Sequence, residues 1–199
     1  VYEEGLCVPI LPLFERGEPA EAVMAIVRAN VREPDQVIGD LYSLTVGNAV
    51  GCNRLAEMMQ EFALNDLEEI SEHIISRSRR AVLEEVATLP QGTWHHEMTV
   101  DGYGEPVTLK ASLTISPQGI EVDFDGTSNV SPFGINVPLS YTQAYASFGV
   151  RCVIASAIPN NAGSLDPIRV SAPEGCILNA PRPHAVAVRH VIGQMLPDV

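Results

Sequence analysis

The sequence predicts an α+β protein: an N-terminal helical hairpin or bundle, then an antiparallel β-meander, then further helices. Three observations carry this. Apolar residues recur at steps of three and four through the first half. Over residues 92–124 the period falls to two, with turn residues between the runs. After Pro138 helical and extended patterns mix, and helices before strands before mixed elements point to α+β.

The first helix is expected over 18–31, with Ala20, Val23, Ile26 and Val27 as its apolar stripe. In "REPDQ", Pro34 disfavours a helical Glu33 and is placed to open the next helix. That helix carries Leu41, Thr45, Asn48, Cys52, Leu55, Met59 and Phe62 at alternating steps of four and three, on one seam. Asn48 within the seam reads either as a buried amide bonded to a neighbouring helix or as a site-lining group. Gly39, Gly47 and Gly51 permit a break or a close backbone contact there. Asn65 and Glu68 form a capping-box pattern for a third helix reaching about Ala87. Leu67, Ile70, Ile74, Ala81 and Val82 are its apolar positions, and Arg77, Arg79 and Arg80 read as a solvated stretch. Leu89-Pro90-Gln91-Gly92 ends it.

Three strands are expected in "TWHHEMTV", "EPVTLKASLTIS" and "GIEVDFDG". In the last, Ile120, Val122 and Phe124 share one face, and Glu121, Asp123 and Asp125 the other. "SYTQAYASFGVRCVIAS" reads as a largely buried helix along Tyr141, Tyr145, Phe148 and Cys152. "AIPNNAGSLDP" reads as a polar loop, "IRVSAP" as a strand, "EGCILNAPRP" as a loop and "HAVAVRHVIGQML" as a final helix. Two segments follow: 1–90, mainly helical, and 91–199, α+β. The chain opens on "VYEEGL" and stops at "QMLPDV" inside an expected helix, so it is expected to be a piece of something larger.

A formal net charge of -13 opposes a nucleic-acid role, which needs a basic face. No run of about 18 apolar residues is present to span a membrane. Cys7, Cys52, Cys152 and Cys176 are scattered without a C-x-x-C pair, which disfavours a zinc knuckle. A disulfide framework is unexpected at this length, so four reduced, mostly buried thiols of a cytoplasmic protein are expected.

The densest candidate chemistry is "EVDFDGTSNVSPFGINVP". Its two aspartates suggest a calcium loop, but the glycine falls one residue after the second, and no bidentate Glu follows at the required distance. Asp-Gly-Thr-Ser is a strong turn, either a plain strand end or a cleft wall. His95 and Glu97 share a strand face, a weak two-ligand edge, while His184 and His190 lie six apart and His73 stands alone. No P-loop, G-x-G-x-x-G or G-x-S-x-G is present, and no Ser/His/Asp or Cys/His set assembles from spacing.

Five stretches in order, "EGLCVPILPLFERGE", "NVREPDQVIGDL", "DFDGTSNVSPFGIN", "AIPNNAGSLDPIRVSAPEGCILNAPRP" and "AVAVRH", resemble the hydantoinase B/oxoprolinase family from Glu4 to the last residue. The resemblance implies a part of an ATP-dependent enzyme that opens cyclic amides such as 5-oxoproline and hydantoins. It implies a hydantoinase A-like partner subunit that binds ATP, the remainder of the B-type subunit, and a small-molecule substrate. Related members are subunits of ketone carboxylases, and a purely structural assembly domain is the further alternative. A divalent metal is implied, with ligands in a part upstream of "EGL", so no metal ligand is carried over to this chain. Gly39 and Asp40 match the family's Gly-Asp. The resemblance marks Asp125, Thr127 and Asn136 as candidate catalytic, cleft-lining residues: Asp125 and Asn136 to orient, Thr127 or a turn N–H to donate. Gly126, Ser128, Asn160 and Arg189 are its candidates for substrate binding, with Asn161 and Gly163 matching in the same loop as Asn160. The fragment alone is expected to be inactive.

Overall fold

A computed structural model describes residues 7–199, so Glu4–Leu6 of the first family stretch lie outside the described residues. The chain forms two compact units, one ending at Glu68 and the other running from Glu69 to Val199.

The first unit opens with a hairpin that the helical pattern hides. Strands β1 (Phe14–Glu15) and β2 (Glu18–Pro19) pair antiparallel. Arg16 and Gly17 between them take φ of 54° and 87°, the double positive φ of a type I′ turn. The helix expected from residue 18 therefore starts later, as α1 (Glu21–Asn30). Met24 and Val27 of α1 bury against Ile38 of α2 (Pro34–Glu61), which opens on Pro34 as expected. The apolar seam of α2 does not bury as predicted. Leu41, Thr45 and Met59 are half-buried, whereas Asn48, Cys52, Leu55 and Phe62 are exposed. Asn48 is thus no buried amide, because α1 packs near the N-terminal end of α2, around Val37, Ile38 and Leu41.

The second unit holds all but the first residue of α3 (Glu68–Val86), which is capped by Asp66, whose Oδ1 accepts the Glu68 N–H at 3.0 Å, rather than by Asn65. The sheet has the order β3 (Gly92–Val100), β4 (Val107–Ser116), β5 (Gly119–Asp123), β6 (Ile168–Ser171). The first three form the expected antiparallel meander. β6 joins parallel to β5, which makes the sheet mixed. The parallel pairing follows from the crossover through α4 (Leu139–Val153), since parallel neighbours need a long connection. Leu109, Ala111, Ile120, Val122 and Phe124 line the buried face, with Val82 and Val86 of α3 and the fully buried Ile177, Leu178 and Ile192 in the same core. The other face is polar and paired across strands: Thr93 with Thr114 at 3.0 Å, His95 with Ser112 at 2.8 Å, Thr99 with Thr108 at 3.1 Å, and Ser171 with Asp123 at 2.9 Å.

Local patterns give way to tertiary contacts in the last third. α4 buries along Thr142, Ala146 and Arg151, leaving the predicted seam residues Phe148 and Cys152 exposed. The loop 157–167 contains a short helix, α5 (Ala162–Leu165), closed by a reciprocal capping box between Asn161 and Ser164. The expected final helix is only α6 (His190–Gly193) and a 3-10 turn (Leu196–Asp198). Upstream of α6 the backbone is claimed elsewhere: Val188 N–H donates to Gly134 O at 2.9 Å, and Ala185 O accepts from Asn136. The four cysteines are unpaired as expected, but only Cys176 is buried; Cys7, Cys52 and Cys152 are exposed, since none falls on a core face. Among the described residues, no helix is long and apolar enough to cross a membrane.

α5 is docked on α3. Asn161 Nδ2 donates to Ser78 Oγ at 2.8 Å, and Arg79, expected to be merely solvated, pairs with Asp166 at 2.6 Å. A Cβ on Gly163 would stand 2.0 Å from Ile75 O, so only glycine permits the approach. Gly163→Ala is expected to destabilise the protein by roughly 1–3 kcal/mol through overpacking against main chain, read as a lowered urea midpoint.

Candidate functional site

β4 is longer than its partner. β5 pairs with Ser112 through Ser116, and beyond Ser112 the β5-facing backbone groups of Lys110 and Thr108 have no strand opposite them. The chain after β5 supplies partners from side chains. Asp125 and Gly126 occupy a turn closed by Thr127 N–H to Phe124 O at 3.2 Å. Gly126 takes φ of 82°, as the third position of a type II turn requires. Thr127 Oγ1 then accepts from Lys110 N at 3.0 Å and donates to Lys110 O at 3.1 Å. Ser128 repeats the device one pair further: its N–H donates to Thr108 O, and its Oγ accepts from Thr108 N, both at 2.9 Å. Two hydroxyls and one amide thus continue the ladder.

This construction turns the Asp125 carboxylate outward. Asp125 lines an open cleft of about 380 Å³ with His95, His96, Glu97, Lys110 and Ser112. Glu97 Oε2 lies 3.2 Å from Lys110 Nζ; both are substantially exposed, so the pair orients more than it stabilises. His95 Nδ1 is engaged by Ser112 Oγ, which leaves Nε2 as the ring nitrogen for another partner. A carboxylate, an ammonium and an imidazole around one cleft can bind and orient a small amide and move a proton. Among the described residues, no three His, Cys, Asp or Glu side chains converge as metal ligands, and Glu97 lies against Lys110. The residues present therefore do not fit a metal by themselves.

Asn136 is fully buried and fully used. Its Oδ1 accepts from Ser131 N at 2.7 Å, and its Nδ2 donates to Ser131 O, Phe133 O and Ala185 O at 2.8, 2.9 and 3.0 Å. It staples the segment after the turn to the segment before α6. Ser128 also lines a second cleft of about 330 Å³, with Tyr103, Glu105 and Phe133. Asn160 lies elsewhere: its Oδ1 accepts from Nε of the buried Arg151 at 3.3 Å beside a third cleft, and Arg151 also donates to Ile154 O and Ile158 O. Arg189 donates to Val186 O at 3.1 Å and lies over the Tyr141 ring, 5.7 Å from its centroid. The structure thus groups Asp125, Gly126, Thr127 and Ser128, and it does not bring Asn160 or Arg189 into the Asp125 cleft. Lys110, His95 and Glu97 join Asp125 there. Counting strand register places Lys110 opposite Glu97, but the turn that brings Asp125 to them follows no register.

Cys176 is buried and bridged to Asn129, just after the turn. Burial pushes its thiol above the usual value, and backbone hydrogen bonds, chiefly those at Leu178 and Asn179, only partly oppose this. The neutral thiol therefore persists to higher pH than in a free cysteine. A thiol reagent at pH 8 is expected to label Cys7, Cys52 and Cys152 quickly and Cys176 only on unfolding, read by mass spectrometry. Asn136→Ala is expected to cost about 2–4 kcal/mol by leaving buried main-chain groups unpaired, and Thr127→Val about 1–2 kcal/mol, with Thr127→Ser close to wild type; chemical denaturation reads all three.

Comparison with known proteins accords with these motifs. A protein of Pseudomonas sp. (strain NS671), assigned as a candidate B-type subunit of a D-/L-hydantoinase, is 27% identical over 211 aligned residues, covering 99% of this chain and 36% of that protein. The crystal structure of the ATP-dependent caprolactamase from Pseudomonas jessenii superposes with a TM-score of 0.82 at 21% identity, over 98% of this chain and 36% of that one, and so shares its fold. The chain therefore spans about a third of the length of both relatives. The family model for hydantoinase B/oxoprolinase matches residues 1–199, and with the whole chain covered, the protein belongs to that family.

Proposed function

We propose that this chain is part of a hydantoinase B-type subunit of an ATP-dependent hydrolase that opens cyclic amides, working with a hydantoinase A-like subunit that binds ATP. The observation that carries the proposal for this chain's own residues is the Asp125 turn. Thr127 and Ser128 are held by the β4 backbone, and their engagement presents one carboxylate to an open cleft beside Lys110 and His95. In this reading Asp125 accepts a hydrogen bond from the ring amide N–H and orients the substrate, while Lys110 places positive charge near the amide oxygen, where negative charge develops on attack. Thr127, Ser128 and Asn136 are positioning residues. Their polar atoms fix the cleft wall rather than touch substrate. ATP enters as the partner's cosubstrate, supplying activation of an otherwise unreactive amide.

The test is Asp125→Ala in the assembled full-length enzyme, assayed for ring opening of hydantoin, 5-oxoproline and caprolactam with ATP. The expected result is a fall in kcat of about 10²-fold or more with unchanged assembly, because Asp125 is exposed and removing it leaves the Thr127 and Ser128 contacts in place. Lost assembly with no catalytic defect in the residual complex would favour a purely structural domain. The isolated 199-residue chain is expected to show no turnover, and robust turnover would overturn its reading as part of a larger site.

A further inference from the structure

α2 is covered by α1 near its N-terminal end and exposed over most of residues 42–57. Ile38 is buried, and Leu41 packs with it against α1. At 100° per residue, Ile38 points directly away from Gly47. The Gly47 side faces solvent and is apolar: Leu44 is 66% and Val50 52% exposed, flanking Gly47 on the same face. Ser43 lies there too, but its hydroxyl folds back onto Gly39 O at 2.9 Å. Added Cβ atoms at Gly47 and Gly51 would meet nothing within 4 Å, so another helix can approach closely. Apolar side chains exposed on the outer side of a surface helix mark an association surface.

The charges identify the occupant. No Asp, Glu, Lys or Arg stands between Asp40 and Arg54. Each of these two lies one heptad from Gly47, on opposite sides and within about 20° of its direction. An antiparallel copy of the same helix crossing at Gly47 therefore sets Asp40 against Arg54 of the second copy, and Arg54 against its Asp40. Leu44 then meets Val50 across the axis. A parallel pair would instead oppose like charges at both ends. The antiparallel register leaves Glu33 and Glu61 as its like-charge pair, at the exposed ends where salt screens them.

We propose that a second copy of this chain docks on the Gly47 face of α2, antiparallel and two-fold symmetric about Gly47, with reciprocal Asp40–Arg54 pairs. Nothing in this depends on the catalytic role of Asp125. The test is analytical ultracentrifugation of the 199-residue chain from about 1 to 100 µM. Wild type is expected to dimerise. Asp40→Arg and Arg54→Asp are each expected to weaken the dimer about tenfold or more, and the double variant D40R/R54D to restore it. Leu44→Glu is expected to give monomer at every concentration. All three positions are exposed, and circular dichroism checks that the helix persists. Monomeric wild type would overturn the proposal and leave the face to the additional length its relatives possess. A double variant no tighter than the singles would overturn the register.

Discussion

The second unit depends on one backbone constraint: β4 extends past the end of β5, and the hydrogen-bonding groups of Lys110 and Thr108 still need partners. A further strand residue pair would satisfy them. The chain instead leaves the sheet at Asp125 and returns two hydroxyls. Because one Thr127 Oγ1 serves both Lys110 groups, residue 127 must sit within hydrogen-bond distance of both, and the backbone must turn sharply just before it. That places glycine at 126. It also expels residue 125 from the ladder, so that a charged side chain there stays solvated. The same path carries Ser128 O to Ile177 N at 2.8 Å, and from there Val137 N to Ile177 O at 2.7 Å. Ile177 and Leu178 are thereby held at full burial without belonging to any regular strand.

Two further staples extend this logic. Asn136 joins the segment after the turn to the segment before α6, and Arg151 with Asn160 ties the end of α4 to the loop leading into α5. Asn136 and Arg151 are buried polar groups whose partners are mostly main-chain atoms. Such groups add specificity because their geometry admits one loop path, whereas apolar packing alone tolerates several. The glycines at 163 and 193 serve the same end by contact: a Cβ at Gly193 would lie 2.3 Å from the Tyr141 ring.

The regular elements were legible because their cause is local. Period-two alternation in "GIEVDF" assigned every side chain of β5 to its correct face. Pro34 announced the start of α2 because a missing N–H costs nothing there. What was not legible has non-local causes. "FERGEP" holds a hairpin only two residues per strand long, too short for any period to register. The 184–196 stretch has helical spacing, yet its carbonyls and amides answer to Gly134 and Asn136, some fifty residues away. The seam of α2 was correctly periodic, but periodicity says that a face wants cover, not that this chain covers it.

The same distinction governs the candidate site. The family stretch around Asp125 marks residues that stay together, and sequence alone does not say whether they stay together to touch a ligand or to hold one another. For Thr127 and Asn136 the internal hydrogen bonds favour the second. The hydroxyl of Thr127 has spent its donor and an acceptor lone pair on Lys110, and the amide of Asn136 donates to three carbonyls while its oxygen is taken by Ser131. A buried group so committed cannot donate to a substrate without first breaking a bond inside the protein, at a cost comparable to what it would gain. Asp125 carries no such commitment, and it faces a cleft already furnished with an ammonium and an imidazole. In the function proposed for this turn, Asp125 is therefore the side chain that meets substrate, and the motif around it is the scaffold that aims it.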